Sequence, residues 1–190
     1  MRSLKIQEIQ ALRLAVFHNA ETLYREAELL FRNGMYSRAY LLAHFCVEEL
    51  GKLPILVGVV GDLNKGELVD WKQVQKSFCS HTEKIGMQNG HFYAFGRDPN
   101  LPAGTELEWL LTANSNINET YRKKDVSTYV DVVDGKILSP LNEITKVDAE
   151  TILGYASACV LFHERSESLT NPLIYTKESN EAPGSSEGST

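Results

Sequence analysis

The segment YSRAYLLAHFCVEELGKLPIL, residues 36–56, places charged side chains within a stretch that is otherwise apolar. Its apolar residues recur on nearly every side of a helix, which predicts a helix surrounded by other helices. Because residues four apart lie on one side of a helix, His44, Glu48 and Lys52 form a single line. An unpaired carboxylate is costly to bury, so we expect at least one of Glu48 and Glu49 to be partly buried and paired.

The possible partners of these carboxylates leave two interpretations of the helix open. Lys52 can pair with either glutamate locally, while Arg38 and Glu49 share a neighbouring line. Further partners have to come from other helices, where the candidates are His81, Lys84, Arg122, Lys123 and Lys124. The cluster is either a buried polar network that fixes helix register or a site that binds an anion or performs acid–base chemistry.

Four more stretches of helical spacing accompany this segment. They cover residues 3–32, 70–87, 105–121 and 149–169. Pro54 is expected to end or kink the second helix, and the Gly- and Pro-rich residues 86–104 to form a long connection. Four to five helices joined by loops predict an all-α protein, an antiparallel helical bundle that forms a single domain over residues 1–175.

Three local signals complete the predicted architecture. Asp134-Gly135 lies between two β-rich runs and predicts a small β-hairpin near residues 129–138. The sequence TKVD, residues 145–148, is typical of a capping box at the start of the last helix. Residues 176–190 are polar and have no apolar anchor, which predicts a disordered C-terminal tail.

Composition restricts the function classes. The formal net charge is -6, so the chain has no overall basic character for nucleic acid, although a local basic patch remains compatible with it. Cys46, Cys79 and Cys159 have no paired spacing and are expected to be buried free thiols in a reducing compartment. The N-terminus has no signal-peptide core, and the longest apolar run is too short to span a bilayer. We therefore expect a cytoplasmic protein without a membrane segment.

The order of the motifs resembles a known family. The 36–56 segment is followed by FCSHTEKI, then by YRKKDVSTYVDV, then by Pro140 and an Ala-rich last helix. Together, over roughly residues 10–165, these motifs resemble the AbiV-type abortive-infection proteins of bacteria, within the HEPN superfamily of small helical domains. The resemblance implies a HEPN-like bundle, homodimers, and defence against bacteriophage by blocking translation or phage production.

Many HEPN proteins are metal-independent ribonucleases, and this resemblance implies a signature to look for. An Arg and a His separated by four to six residues, usually near the start of the last helix, meet their copies across the dimer. Here Arg38 and His44 have that spacing, as do Arg13 and His18. The pair Arg38–His44 is the better candidate because it shares a helix with the charged cluster.

Two functional hypotheses follow. In the first, the protein acts on RNA: His44 or His81 is the acid–base group, while Arg38, Lys52 and Lys84 hold phosphate and Glu48 and Glu49 orient them. Basic residues of the fourth helix would bind the RNA backbone, namely Arg122, Lys123 and Lys124. That scheme requires no metal and no cofactor. In the second, the cluster is structural and the bundle binds a phage or partner protein without catalysis.

Overall fold

The computed structural model describes residues 2–96 and 105–170, apart from the side chains of residues 105–107, 169 and 170. Its elements follow one another along the chain as α1 (Ile6–Arg32), α2 (Tyr36–Leu50), α3 (Lys52–Lys65), α4 (Trp71–Cys79), α5 (His81–Phe95), α6 (Thr105–Ser115), α7 (Ile117–Val126), β1 (Asp131–Val133), β2 (Lys136–Leu138), α8 (Pro140–Glu143) and α9 (Lys146–Thr170). The predicted all-α class with one small hairpin is confirmed. The predicted tail, residues 176–190, lies outside the described residues.

The main core lies where α1, α2 and α9 pack against one another. Alanines occupy the contacts between these helices, and their side chains are fully buried: Ala20, Ala27, Ala39, Ala43, Ala149 and Ala156. Small side chains let helix backbones approach closely, so larger neighbours such as Leu50 and Leu53 fill the remaining space. This arrangement explains why α2 is apolar on nearly every side.

A glycine fixes the position of α5 against the junction of α2 and α3. A Cβ atom added at Gly51 would lie 2.1 Å from the backbone oxygen of Lys84. No side chain can be accommodated at that distance without moving one of the two backbones. Gly51 therefore brings α5, which carries His81 and Lys84, directly beside the C-terminal end of α2.

The helix boundaries differ from the prediction near Pro54 and Ser80. The second helix ends at Leu50 and a new one begins at Lys52, so that Pro54 lies in the first turn of α3, where a missing N–H is harmless. The stretch 70–87 is divided at Ser80, whose hydroxyl accepts a hydrogen bond from the Glu83 amide at 3.2 Å and caps α5.

The predicted connection over residues 86–104 is wrong for its first part, because α5 continues to Phe95. Gln88 and Asn89 lie on the buried side of this helix, and their packing against α9 stabilises a segment that two glycines would otherwise weaken. Residues 97–104 lie outside the described residues.

The predicted fourth helix is also divided, at Asn116, and its second part extends to Val126. The capping box is confirmed: the Thr145 hydroxyl accepts a hydrogen bond from the Asp148 amide at 3.1 Å, and the Asp148 carboxylate accepts one from the Thr145 amide at 2.9 Å. With this cap the last helix begins at Lys146, three residues earlier than predicted.

The hairpin forms as the Asp134-Gly135 pair predicts. Both residues have positive φ, 50° and 75°, as a type I′ turn requires. The two strands are antiparallel, with Val132 opposite Ile137. Their side chains point into solvent, because Val132 is 63% exposed and Ile137 is 72% exposed.

Two of the three cysteines are buried as free thiols, but Cys79 is exposed, so that prediction is wrong for this residue. Cys79 is the last residue of α4, where the apolar side of the short helix has already ended. Within residues 2–96 and 105–170, no helix is long and apolar enough to cross a membrane.

Candidate active site around Glu48

Glu48 is the centre of a cluster of cationic side chains drawn from three helices. Its carboxylate is 3% exposed, on the face of α2 that meets α5 and α7. His81 Nδ1 and Lys84 Nζ, both from α5, lie 2.5 Å and 2.9 Å from Oε2. Lys124 Nζ, from α7, lies 3.7 Å from Oε1. The buried carboxylate therefore has the partners that its burial demands.

His44 approaches the same carboxylate from within α2. Its Nε2 lies 3.0 Å from Oε1 of Glu48, one turn away. The distance is that of an ion pair, but the ring N–H is not aligned with the oxygen, so no regular hydrogen bond forms. The ring is 1% exposed, and within the described part of the chain its Nδ1 has no hydrogen-bond partner.

These contacts keep Glu48 ionised. Burial alone raises the pKa of its carboxyl group, but the contacts with His44, Lys84 and His81 outweigh that effect and hold the pKa well below its usual value. Lys84 and Lys124 are each more than nine-tenths buried. Two ammonium groups therefore lie beside the Glu48 carboxylate, and Asp125, which is half-exposed, lies 3.9 Å from Lys124 at the edge of the cluster.

The cluster reaches solvent through His81. Its side chain is 41% exposed, whereas the other members are nearly sealed. His81, Lys84, Glu48 and Glu49 line a surface cavity of about 350 Å³ together with residues of α1. Because Nδ1 of His81 faces Glu48, Nε2 is the ring nitrogen that a ligand in this cavity can reach.

Tyr121 covers the side of the cluster that faces α7. The Lys124 ammonium lies 3.9 Å from the centre of its ring, a cation–π contact. The His81 ring lies 5.4 Å from the same ring. Tyr121 thus restricts both the lysine and the histidine to their positions beside Glu48.

Two residues predicted to share this site lie elsewhere. Lys52 begins α3, beyond the break at Gly51, and pairs with Glu49 at 2.6 Å. Arg38 is exposed and lies 3.4 Å from the backbone oxygens of Ser127 and Thr128. It precedes Glu48 by ten residues, roughly 15 Å along a helix, and therefore does not form a pair with His44 at this carboxylate.

The three basic residues of α7 are also separated. Lys124 joins the Glu48 cluster, whereas Arg122 pairs with Glu119 at 2.8 Å and Lys123 pairs with Asp148 at 2.5 Å. Successive residues of a helix point in different directions, so a run of three cannot serve one site. The predicted phosphate-binding group is therefore not a single patch on this helix.

A second buried polar cluster was missed in the sequence. His163 and Glu167 are 1% and 2% exposed on α9. His163 Nε2 lies 2.8 Å from Gln88 Oε1, and Glu167 pairs with Arg13 of α1 at 2.7 Å. Like His44 and Glu48, the histidine and glutamate are four residues apart within an apolar helix. That spacing was the available signal in the sequence.

The comparisons with known proteins agree with the resemblance drawn from the motifs. The family model for AbiV, a HEPN family, matches residues 8–161. Neither the curated proteins nor the solved structures gave a match to this chain. The matched range includes His44, Glu48, His81, Lys84 and Lys124.

Proposed function

Because the chain belongs to the AbiV family of HEPN-type abortive-infection proteins, we propose that it is an anti-phage effector that cleaves RNA at the Glu48 cluster without a metal. In this proposal it acts in the cytoplasm, as a homodimer, and stops phage production by degrading RNA or blocking translation. His81 is the acid–base group of the reaction. Lys84 and Lys124 provide positive charge beside it.

One observation carries the proposal: a buried carboxylate holds one ring nitrogen of a histidine whose side chain is partly exposed. Glu48 fixes His81 through Nδ1 at 2.5 Å, and the histidine is 41% exposed. With the proton on Nδ1, a carboxylate in this position would leave Nε2 able to accept a proton, as in the general-base arrangement of many hydrolases. A purely structural ion pair needs no half-exposed histidine over a surface cavity.

The chemistry follows from these positions. His81 Nε2 takes the proton of a ribose 2′-hydroxyl, whose oxygen attacks the adjacent phosphorus. The bond from phosphorus to the 5′-oxygen breaks, and that oxygen takes a proton from a second imidazole. A homodimer that brings two His81 rings together would supply both groups. The ammonium groups of Lys84 and Lys124 would favour the phosphate that gains charge in this step.

A second candidate function rests on a different surface. The hairpin and the residues on either side of it expose large apolar side chains, among them Tyr129, Val132, Ile137 and Leu141. Exposed apolar patches of this kind are typical of protein interaction sites. They favour a module that binds a phage or partner protein, with the Glu48 cluster as a structural network.

The experiment that tests the proposal is cleavage of tRNA, rRNA and mRNA by the purified protein in EDTA. We expect His81→Gln to reduce the rate by at least about a hundredfold, since general acid–base groups contribute about that much. His18→Gln is the matched control, because His18 is an exposed histidine whose contacts, among the residues that the structure describes, lie on its own helix. It should cleave RNA at the wild-type rate.

The variants are first compared by circular dichroism and by mass in solution, so that loss of activity is not loss of fold. No cleavage by the wild-type protein, or equal cleavage by wild type and His81→Gln, would reject the ribonuclease proposal. The interaction module would then be the better account, and pull-down with Ile137→Asp would test it.

A further inference from the structure

The β-hairpin turns apolar side chains toward solvent. All three residues of β1 are exposed, and so are two of the three residues of β2. A two-stranded hairpin by itself is only marginally stable in water, and it gains stability when further strands extend the sheet or another element covers it. The hairpin is therefore a surface that would be stabilised by an additional strand.

The two edges of the hairpin differ. Val133 and Lys136 flank the type I′ turn and form its hydrogen bond. Hydrogen-bonded and non-hydrogen-bonded pairs alternate along an antiparallel ladder, so the backbone groups of the next pair, Val132 and Ile137, point outward. On β1, the Val132 amide already donates to the Asp131 carboxylate at 2.7 Å. On β2, the N–H and C=O of Ile137 have no partner among the residues that the structure describes.

The open β2 edge is complementary to a copy of itself. Two antiparallel strands that pair around a two-fold axis place one residue opposite the same residue of the other copy. With the axis at Ile137, the N–H of each copy donates to the carbonyl oxygen of the other. That reciprocal pair of bonds is the repeating unit of an antiparallel ladder. One exposed residue thus supplies both the donor and the acceptor that the contact needs.

The side chains on one face of the resulting sheet would form a continuous apolar row. Val132 and Ile137 are opposite each other in the hairpin, so their side chains lie on the same face. Pairing through the β2 edges would place the same two side chains of the second copy directly beside them. Four β-branched side chains would then pack across four strands, an arrangement that stabilises sheets.

The charges on the opposite face are complementary. Asp131 is opposite Leu138 within the hairpin. In the paired sheet, Leu138 would in turn be opposite Lys136 of the second copy, so each row would hold a carboxylate of one copy and an ammonium group of the other. Like charges would not lie directly opposite each other, which would be destabilising.

The β1 edges would limit the assembly to two copies. They would become the outer edges of the four-stranded sheet, where Asp131 accepts the hydrogen bond of the Val132 amide. Charged side chains and short strands at an edge resist further pairing. The two-fold contact is therefore closed, and the sheet does not extend into a fibre.

We propose that the β2 edge of the hairpin is a docking surface for a second copy of this chain, paired in antiparallel register through Ile137. Strands of three residues bury little area, so the association is weak. The hairpin is not part of the lining of the His81 opening. The contact is therefore a different one from a contact that brings two His81 rings together, and the proposal goes beyond RNA cleavage.

The test is disulfide cross-linking of Ile137→Cys, with copper phenanthroline as the oxidant. The full chain is used in a Cys79→Ser background, since Cys79 is exposed whereas Cys46 and Cys159 are buried. In the proposed sheet the Cα atoms of residue 137 in the two copies lie about 5.5 Å apart, the separation of a hydrogen-bonded pair. That separation is within the range that a disulfide spans.

Val132→Cys in the same background is the matched control. Val132 is similarly exposed and lies on the same face, but three strand spacings, about 14 Å, would separate it from its copy. We expect Ile137→Cys to cross-link at least about tenfold faster than Val132→Cys, because a disulfide needs Cα atoms closer than about 7 Å. Pairing through the β1 edges instead would make Val132→Cys the faster variant.

A second pair of variants tests the register. Lys136→Cys and Leu138→Cys would face each other only when the two proteins are mixed, because residue 136 of one copy is opposite residue 138 of the other. The mixture should therefore cross-link faster than either protein alone. Equal cross-linking by the mixture and by the separate proteins would overturn the register through Ile137.

All variants are first compared with the wild-type protein by circular dichroism, so that exposure of a buried thiol is not mistaken for a contact. Cross-linking of Ile137→Cys that is no faster than that of Val132→Cys would overturn the pairing of two copies. The hairpin would then be open to a strand of another protein. Because this readout needs no RNA, its failure is distinguishable from failure of the ribonuclease proposal.

Discussion

The Glu48 and Glu167 clusters begin from the same sequence pattern and end in different environments. Each has a histidine and a glutamate four residues apart on an apolar helix. Around Glu48, two lysines and a second histidine converge, and His81 leads to solvent. In the other cluster, His163 contacts an uncharged amide and stays sealed. The pattern shows that a polar group is buried, but the neighbouring helices decide whether it becomes a site.

Loss of the Glu48 carboxylate should cause the largest decrease in stability. Glu48→Ala removes the carboxylate that pairs with the buried ammonium group of Lys84 and leaves Lys124, also more than nine-tenths buried, with Asp125 at 3.9 Å. We expect the free energy of unfolding to fall by about 3–5 kcal/mol. Urea denaturation followed by circular dichroism measures this change.

Two further variants sharpen the comparison. Glu49→Ala is the matched control, because its pair with Lys52 is partly exposed, and it should cost less than about 1 kcal/mol. Glu167→Ala should cost about 2 kcal/mol, because its partner Arg13 is 12% exposed and gains access to water. Equal losses for Glu48→Ala and Glu167→Ala would contradict the difference between the two clusters.

Gly51→Ala should cause the next largest decrease in stability. The new methyl group would meet the Lys84 backbone oxygen at 2.1 Å, so α5 has to move away from α2. We expect a loss of about 1–3 kcal/mol in stability, as for other overpacked positions. The measurement is again chemical denaturation.

Gly58→Ala provides the comparison, since a methyl group there meets nothing within 4 Å. In a helix interior it should stabilise the protein by up to about 1 kcal/mol. If both variants behaved alike, the close approach of α2 and α5 would not be a feature of the folded protein. RNA cleavage by Gly51→Ala should fall as well, because the change displaces His81.

The last comparison concerns pH and separates the buried His163 from the partly exposed His81. Burial, followed by the nearby His91 and Arg13, lowers the pKa of His163 from 6.5 to about 3. The unfolded chain then binds a proton that the folded chain does not, so stability is complete above pH 6.5 and decreases as pH falls toward 3. Between pH 7.5 and pH 5 this histidine alone should remove about 2 kcal/mol.

The slope of stability against pH is measured by denaturation at a series of pH values. His163→Gln keeps a donor near the position of Nε2 and should flatten the slope between pH 5 and pH 7.5. His18→Gln, which removes an exposed imidazole, is the control for the loss of a histidine. An unchanged slope in His163→Gln would show that the sealed histidine is not the group that titrates on unfolding.

Local chemistry made much of the fold predictable. The turn at Asp134-Gly135 and the cap at Thr145 depend on neighbours in sequence, and both form as expected. The breaks at Gly51 and Ser80 were missed because periodicity continues across them. The break at Gly51 depends on the backbone of α5, which is distant in sequence, and the break at Ser80 depends on one side-chain hydrogen bond. Neither changes the pattern of apolar residues.

The sequence predicted the kind of chemistry at the site but not which residues lie there. Burial of Glu48 and its contacts with His81 and Lys84 follow from the cost of an unpaired carboxylate. Arg38 and Lys52 were expected there on helical lines alone. Distance along α2 excludes the first, and the end of that helix excludes the second. Recognising His163 would have required treating a histidine within an apolar stripe as evidence of burial.

The absence of a side chain at Gly51 has a mechanical consequence. Because the backbone at Gly51 lies against the backbone of Lys84, a shift of α5 along the end of α2 would bring the two backbones into collision, which couples the positions of Glu48 and His81. The third helix of the site is α7, which carries Tyr121 and Lys124, and Gly51 does not constrain its position. A displacement of α7 would therefore change the contacts of Lys124 and Tyr121 with Glu48 and His81, while α2 and α5 keep their spacing.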